Sequence, residues 1–148
     1  NIELAKSLLI SQDIKVLKIS SFYKTKSWPD DKFPDYLNVV IKVKTNLKLN
    51  DLFKKIKYIE KLLGRLKTKK NYPRICDIDI VDYNGLCDLI EFENNKIIIP
   101  HERMHKRNFV LFPLYEITKD WIHPKFKKNI VDLLSKLSIK QLSSIKLI

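Results

Sequence analysis

The sequence predicts a mixed α+β fold, with helices laid against a mainly antiparallel sheet, and three observations carry that expectation. Residues 50–63 repeat apolar side chains at helical spacing. Residues 14–23 and 36–45 are rich in β-branched and aromatic residues, and the second alternates polar with apolar positions. Two turn signals, Asn84-Gly85 and Asn94-Asn95, punctuate the apolar stretch that follows the helix. At 148 residues the chain has the length of one domain with one core, so a single domain over residues 1–148 is expected.

Taken in order, residues 2–11 read as a short amphipathic helix with Ile2, Leu4, Ala5, Leu8 and Leu9 on one side. Residues 14–23 suit a half-buried strand. Residues 25–34, with two prolines, form a long loop. A second strand covers 36–45, where Val39, Ile41 and Val43 share a face. Asn50 or Asp51 is expected to cap a helix whose Leu52, Phe53, Ile56, Ile59, Leu62 and Leu63 make the apolar stripe, with Gly64 as its stop. A third strand runs from Asp77 to Tyr83, then a hairpin pairs 89–92 with 96–99, and helices follow near 109–118 and 128–137. This order gives a ferredoxin-like αβα sandwich. Such a unit normally opens on a strand, whereas this sequence opens inside the helix. The first strand is therefore expected to be missing and the domain N-terminally shortened.

Hydrophobic residues make up 45% of the chain and charged residues 31%, which argues against disorder. No apolar run reaches the roughly 18–20 residues that span a bilayer, and residues 1–12 lack the pattern of a signal peptide, so a cytoplasmic protein without membrane contact is expected. Cys76 and Cys87 lack a metal-ligand spacing and are too few for a disulfide framework, which points to reduced thiols. The net charge of +12 is carried by 25 Lys against 4 Arg. Scattered Lys suits a solvated surface, or an anionic partner. Arg is more telling, because Arg65, Arg74, Arg103 and Arg107 all fall in one segment and the guanidinium fork grips phosphate or carboxylate in two places.

The segment Pro73-Arg74-Ile75-Cys76-Asp77-Ile78-Asp79-Ile80 sits among these arginines. On a strand, Asp77 and Asp79 project to the same face about 6.5 to 7 Å apart, while Cys76, Ile78 and Ile80 face the other way. Such a pair is either a solvent-facing edge or a holder of magnesium, which prefers few carboxylates together with waters and phosphate oxygens. Arg65, Lys67, Lys69, Lys70 and Arg74 next to it would suit phosphate. With only Gly64 and Gly85 available, no glycine-rich phosphate loop exists, so side chains would have to hold a nucleotide. A second basic group opens at Pro100, where His101, Arg103, His105, Lys106 and Arg107 crowd a helical turn. It suits a polyphosphate or is a solvated turn; zinc on His101 and His105 lacks a third ligand nearby. His123 reads as a surface histidine.

Together these segments resemble the 6-hydroxymethyl-7,8-dihydropterin pyrophosphokinase family, whose signature Pro-Arg-x-x-Asp-x-Asp-Ile matches Pro73, Arg74, Asp77, Asp79 and Ile80. Ser20 to Thr25, Pro34 to Asn38, Glu60 to Arg65, Pro100 to Phe109 and Leu111 to Ile117 match further segments in order. The resemblance implies an ATP-dependent pyrophosphokinase of folate biosynthesis. Asp77 and Asp79 would be ligands of two magnesium ions, with Arg65 and Arg74 stabilising charge on the transferred group. Glu60, Lys67, Ile80, Lys96, His101 and Arg107 would surround ATP. Thr25, Trp28, Tyr36, Asn38 and Phe109 would hold the pterin, Asn38 by donor and acceptor, Tyr36 and Phe109 by stacking. The implied partners are ATP and the pterin, without nucleic acid, for a monomer.

The sequence departs from the family pattern in three places. The first strand with its Gly-Ser-Asn turn is absent; Lys26-Ser27-Trp28 replaces a proline-rich stretch; and Asn71-Tyr72 stands where Trp-Gly is usual, with Lys67 in place of an Arg. Two other readings stay open: a basic RNA-binding module, whose sheet should expose alternating aromatics instead of Asp77 and Asp79, and a catalytically dead homologue acting as an interaction domain.

Overall fold

The structure is a computed structural model and describes residues 1–27, 32–64, 76–92 and 95–148. These residues form a mixed α+β arrangement with three small sheets. They divide into two compact units, one of Asn1–Lys18 and Lys42–Asp79, the other of Ile19–Ile41 and Ile80–Ile148.

In the first unit, helix α1 (Ile2–Ser11) packs against helix α2 (Leu49–Leu62). Ala5 and Leu9 are the buried residues of α1, a narrower stripe than expected, since Leu4 is exposed. Lys55 Nζ of α2 donates to Gln12 Oε1 just beyond α1 at 2.9 Å. Strand β1 (Lys15–Ile19) pairs with β4 (Ile41–Lys44). Helix α2 begins earlier than expected, with Lys48 at its cap position and no side-chain cap; Asp51 instead lies in the first turn, where the helix dipole favours a negative charge. It stops as expected at Gly64, whose φ of 84° is the left-handed value that glycine adopts without strain. The buried stripe of α2 is Leu49, Leu52, Phe53, Ile56, Ile59 and Glu60, continued by Leu63. Leu62, expected inside, is exposed, and the carboxylate of Glu60 occupies the inner face.

In the second unit, β2 (Tyr23–Thr25) lies between β3 (Tyr36–Asn38) and the C-terminal β7 (Ile145–Leu147), antiparallel to both. The expected hairpin is present as β5 (Asp88–Phe92) and β6 (Asn95–Ile99), each strand one residue longer than expected and Glu91 opposite Lys96. The preceding turn has φ of 52° at Asn84 and 71° at Gly85, with Leu86 N–H bonded to the Tyr83 carbonyl, the geometry for which Asn-Gly is suited. A 3₁₀ turn at Met104–Lys106 leads into α3 (Asn108–Ile117), followed by α4 (Ile130–Leu134) and α5 (Ile139–Ser143). Met104, Leu111, Leu114, Ile130, Leu133 and Leu137 make the core.

Several expectations are corrected. The strands over 14–23 and 36–45 are each interrupted near Ser20 and Val40, because the Ser20 hydroxyl accepts the Val40 N–H and so replaces a ladder bond by a side-chain bond. The strand expected from Asp77 to Tyr83 is not formed: residues 76–82 carry no ladder, and Ile78 N–H donates to the Glu60 side chain instead of to a neighbouring strand. The helical turn expected at Pro100 begins at Met104, and the helix expected over 128–137 is confined to α4. The α5 and β7 elements were not expected at all. His123 is no surface residue: it is 2% exposed, its ring stacks on Phe126 at 4.4 Å, and its Nδ1 accepts the N–H groups of Lys125 and Phe126.

Candidate active site

The acidic pair is on the first unit. Asp77 and Asp79 are exposed while Cys76, Ile78 and Ile80 are half-buried, so the outward alternation expected of a strand is present although the ladder is not. Burial, and then the charge of Asp77, push the Cys76 thiol up, which keeps it protonated beside the pair. Behind the pair stands Glu60, 1% exposed, with Oε1 accepting Ile78 N–H at 2.8 Å and Oε2 paired with Lys57 Nζ at 2.8 Å. Lys57 Nζ also lies 5.0 Å from the Phe53 ring centre, which helps hold the ammonium over the helix.

The donor set fits magnesium. Two exposed carboxylates two residues apart leave most of the coordination sphere to water and phosphate oxygens, as magnesium prefers. Among the described residues no group of three or more His, Cys, Asp or Glu side chains gathers as a metal site, so the arrangement is unlike a closed zinc cage. His105 in particular is turned away from such a role: its ring meets Phe126 edge-on at 4.9 Å and His123 at 6.1 Å.

On the second unit the structure brings Thr25, Tyr36 and Asn38 together. Thr25 is opposite Tyr36 and Tyr23 is opposite Asn38, so all four side chains share one face of the β2–β3 ribbon. Asn38 Nδ2 donates to Thr25 Oγ1 at 3.1 Å and lies 3.3 Å from the Tyr23 carbonyl oxygen, which fixes the amide's orientation and its donor side. Helix α3, which begins with Asn108 and Phe109, packs on β2 and β3. Its far end is fastened by Glu116, whose Oε1 accepts the Ser21 N–H at 2.9 Å and hydroxyl at 2.8 Å, and whose Oε2 accepts the Tyr23 hydroxyl at 2.9 Å. Phe109 and Glu116 are two turns apart and therefore on the same side of α3. Burial, then the hydrogen bond and the charge of Glu116, push the Tyr23 phenol up to about 12. Burial works to raise Glu116 as well, but the bonds from Ser21 and Tyr23 outweigh it and hold the carboxyl below its ordinary value. Sequence reasoning missed Tyr23 and Glu116; strand alternation from Thr25 would have found the first.

The basic turn is also on this unit. Arg107 lies over the Phe109 ring at 5.4 Å, and its Nη1 is 3.3 Å from His101 Nε2. His101 Nδ1 is 3.2 Å from the Arg103 N–H. A neutral imidazole has one acceptor nitrogen, so only one of these contacts is a hydrogen bond in either tautomer. Lys96 is mostly exposed and pairs across the hairpin with Glu91 at 3.0 Å. Trp28, Arg65, Lys67 and Arg74 lie outside the described residues.

Comparison with known proteins supplies the class first. A protein of Aquifex aeolicus named 2-amino-4-hydroxy-6-hydroxymethyldihydropteridine pyrophosphokinase is 34% identical over 132 residues, which cover 88% of this chain and 79% of that one. A Synechocystis protein of the same name is 32% identical over 130 residues, covering 88% and 64%. Folic acid synthesis protein FOL1 of Dictyostelium discoideum is 39% identical over 122 residues, covering 78% of this chain but 18% of that much longer protein. The chain thus spans less than a fifth of the Dictyostelium protein and under two thirds of the Synechocystis one. The family profile of 7,8-dihydro-6-hydroxymethylpterin-pyrophosphokinase (HPPK) matches residues 1–119. The chain belongs to this pyrophosphokinase family.

Proposed function

We propose that this chain transfers the pyrophosphoryl group of ATP to the hydroxymethyl oxygen of 6-hydroxymethyl-7,8-dihydropterin, releasing AMP, as a step of folate synthesis. The observation that carries the reading is the family match over residues 1–119, which contains every residue assigned a role below. In this reading residues 1–148 work as one catalytic domain, and its sheets and helices are parts of a ferredoxin-like sandwich.

Asp77 and Asp79 would hold two magnesium ions. When bound, magnesium neutralises the triphosphate and draws electron density from the phosphorus under attack. Lys67, Ile80, Lys96, His101 and Arg107 surround ATP, and Glu60 belongs to the same part of the site. The guanidiniums of Arg65 and Arg74 stabilise charge on the transferred group. Thr25 and Asn38 read the edge of the pterin, the Asn38 carbonyl serving as acceptor while its amide nitrogen is held by Thr25. Tyr36, Phe109 and Trp28 cover its ring faces. The hydroxymethyl oxygen attacks the β-phosphorus and AMP departs, so positioning and electrostatics carry the catalysis. Incubation of the purified chain with magnesium, ATP and the pterin should yield AMP, and omission of the pterin should abolish it. ATP turnover without dependence on the pterin would overturn the assignment.

A further inference from the structure

Glu60 sits where an apolar residue would be expected. The stripe Phe53, Ile56, Glu60, Leu63 has helical spacing, and its other three members are buried in the first unit. A carboxylate there is disfavoured twice: it is 1% exposed, and it lies in the last turn of α2, where the helix dipole opposes negative charge. What compensates is specific. Lys57 Nζ meets Oε2, and Oε1 takes the Ile78 N–H at 2.8 Å. Ile78 belongs to a stretch that carries no ladder, so a side-chain acceptor stands in for the strand neighbour that would otherwise hold this amide.

The amide in question is that of the peptide between Asp77 and Ile78, and Asp79 follows at once. Fixing it restrains ψ at Asp77 and φ at Ile78, and the outward alternation then sends both aspartates to solvent. We propose that Glu60 is a positioning residue, whose buried carboxylate grips the Ile78 amide and thereby holds the Asp77 and Asp79 carboxylates at the spacing that binds magnesium and nucleotide. The proposal rests on the reading of Asp77 and Asp79 as metal holders, and it gives Glu60 a place behind the metal instead of in contact with ATP. Partners that orient metal ligands in this manner characteristically change metal affinity about 10- to 100-fold when removed.

The test uses the full chain as wild type, Glu60→Ala and Glu60→Gln, with Mn²⁺ titrated against α,β-methylene-ATP and followed by electron paramagnetic resonance. Glutamine keeps an acceptor oxygen for the Ile78 amide, alanine does not. The expected result is a rise of about tenfold or more in the Mn²⁺ needed for half-saturation in Glu60→Ala, with most of the loss recovered in Glu60→Gln. Folding of each variant is checked by circular dichroism. Should Glu60→Ala not fold, wild type and Glu60→Gln decide, with the Ile78 amide followed by hydrogen exchange. Slow exchange and near-equal Mn²⁺ affinity in both support the proposal. Open-chain exchange of Ile78 in the wild type, a folded Glu60→Ala with wild-type metal dependence, or a Glu60→Gln with poor metal affinity would each overturn it. A wild type that binds no Mn²⁺ with the nucleotide would overturn the functional reading itself, and this proposal with it.

Discussion

Asp77 and Asp79 are exposed, with half-buried neighbours on either side, and that alternation gives each a distinct test. Asp77→Asn keeps size and removes charge, so it should lower turnover by about a hundredfold or more while leaving the fold's melting temperature nearly unchanged. Steady-state rates at saturating ATP, with calorimetry alongside, check both halves. Arg74→Ala should cut turnover far more than ATP affinity; an unchanged turnover number would reject a role in charge stabilisation. The acidic pair was legible from local periodicity, whereas Thr25, Tyr36 and Asn38 entered only through the family resemblance, and the register of β2 with β3 is what sets them on one face. Glu60 entered through the resemblance and Glu116 was missed; the bonds they make, to Ile78 and to Ser21 and Tyr23, join residues far apart in sequence and leave no local pattern. The apolar stripe expected for α2 did not include Glu60, although Glu60 shares helical spacing with Phe53, Ile56 and Leu63.

Helix α3 depends on Glu116 for its attachment to β2. Glu116→Ala removes an acceptor of three hydrogen bonds, and with the carboxylate largely exposed the loss should be about 1–2 kcal/mol in denaturant unfolding. Its pH dependence has a definite sign. The Glu116 carboxyl is depressed in the folded state, so its contribution is present above the ordinary carboxylate value and is lost as pH falls through the folded one. Tyr23 acts in the other direction: raised to about 12, its contribution is whole below its ordinary value and is lost as pH rises through the folded value. The difference between wild type and Glu116→Ala should therefore shrink at both extremes. At this scale periodicity found α1, α2, α3 and the β5–β6 hairpin, whose signals are local. It missed the breaks at Ser20 and Val40, where a hydroxyl takes over a ladder bond, and it missed α5, although Ser138 and Gln141 form a reciprocal cap with the spacing such a cap requires. Strand β7 was illegible because its partner β2 is far away in sequence.

For the molecule as a whole, His105 and His123 predict how folding responds to acid. Burial, followed by the charge of Lys106, lowers His105; burial, followed by the charge of His105, lowers His123, against the opposing pull of Asp82. Both are neutral in the fold and accept protons more readily when unfolded. Stability should fall as pH drops below the ordinary histidine value, about 6.5, and continue to fall until the depressed folded values are passed. His123→Gln should flatten that slope, as urea denaturation at a series of pH values would show. The α+β class was legible from the order of elements. The position of the buried His123 was not, because it depends on the turn in which His123 N–H donates to the Lys128 carbonyl and encloses the ring.

In the proposed reaction two phosphoryl groups move together from ATP to one oxygen of the pterin. Phosphorus-31 NMR of the complete reaction tests this most directly. AMP and a pterin diphosphate ester should appear in equal amounts, growing together and absent without magnesium; ADP with a monophosphate ester, or free pyrophosphate with AMP and unmodified pterin, would rule out that transfer.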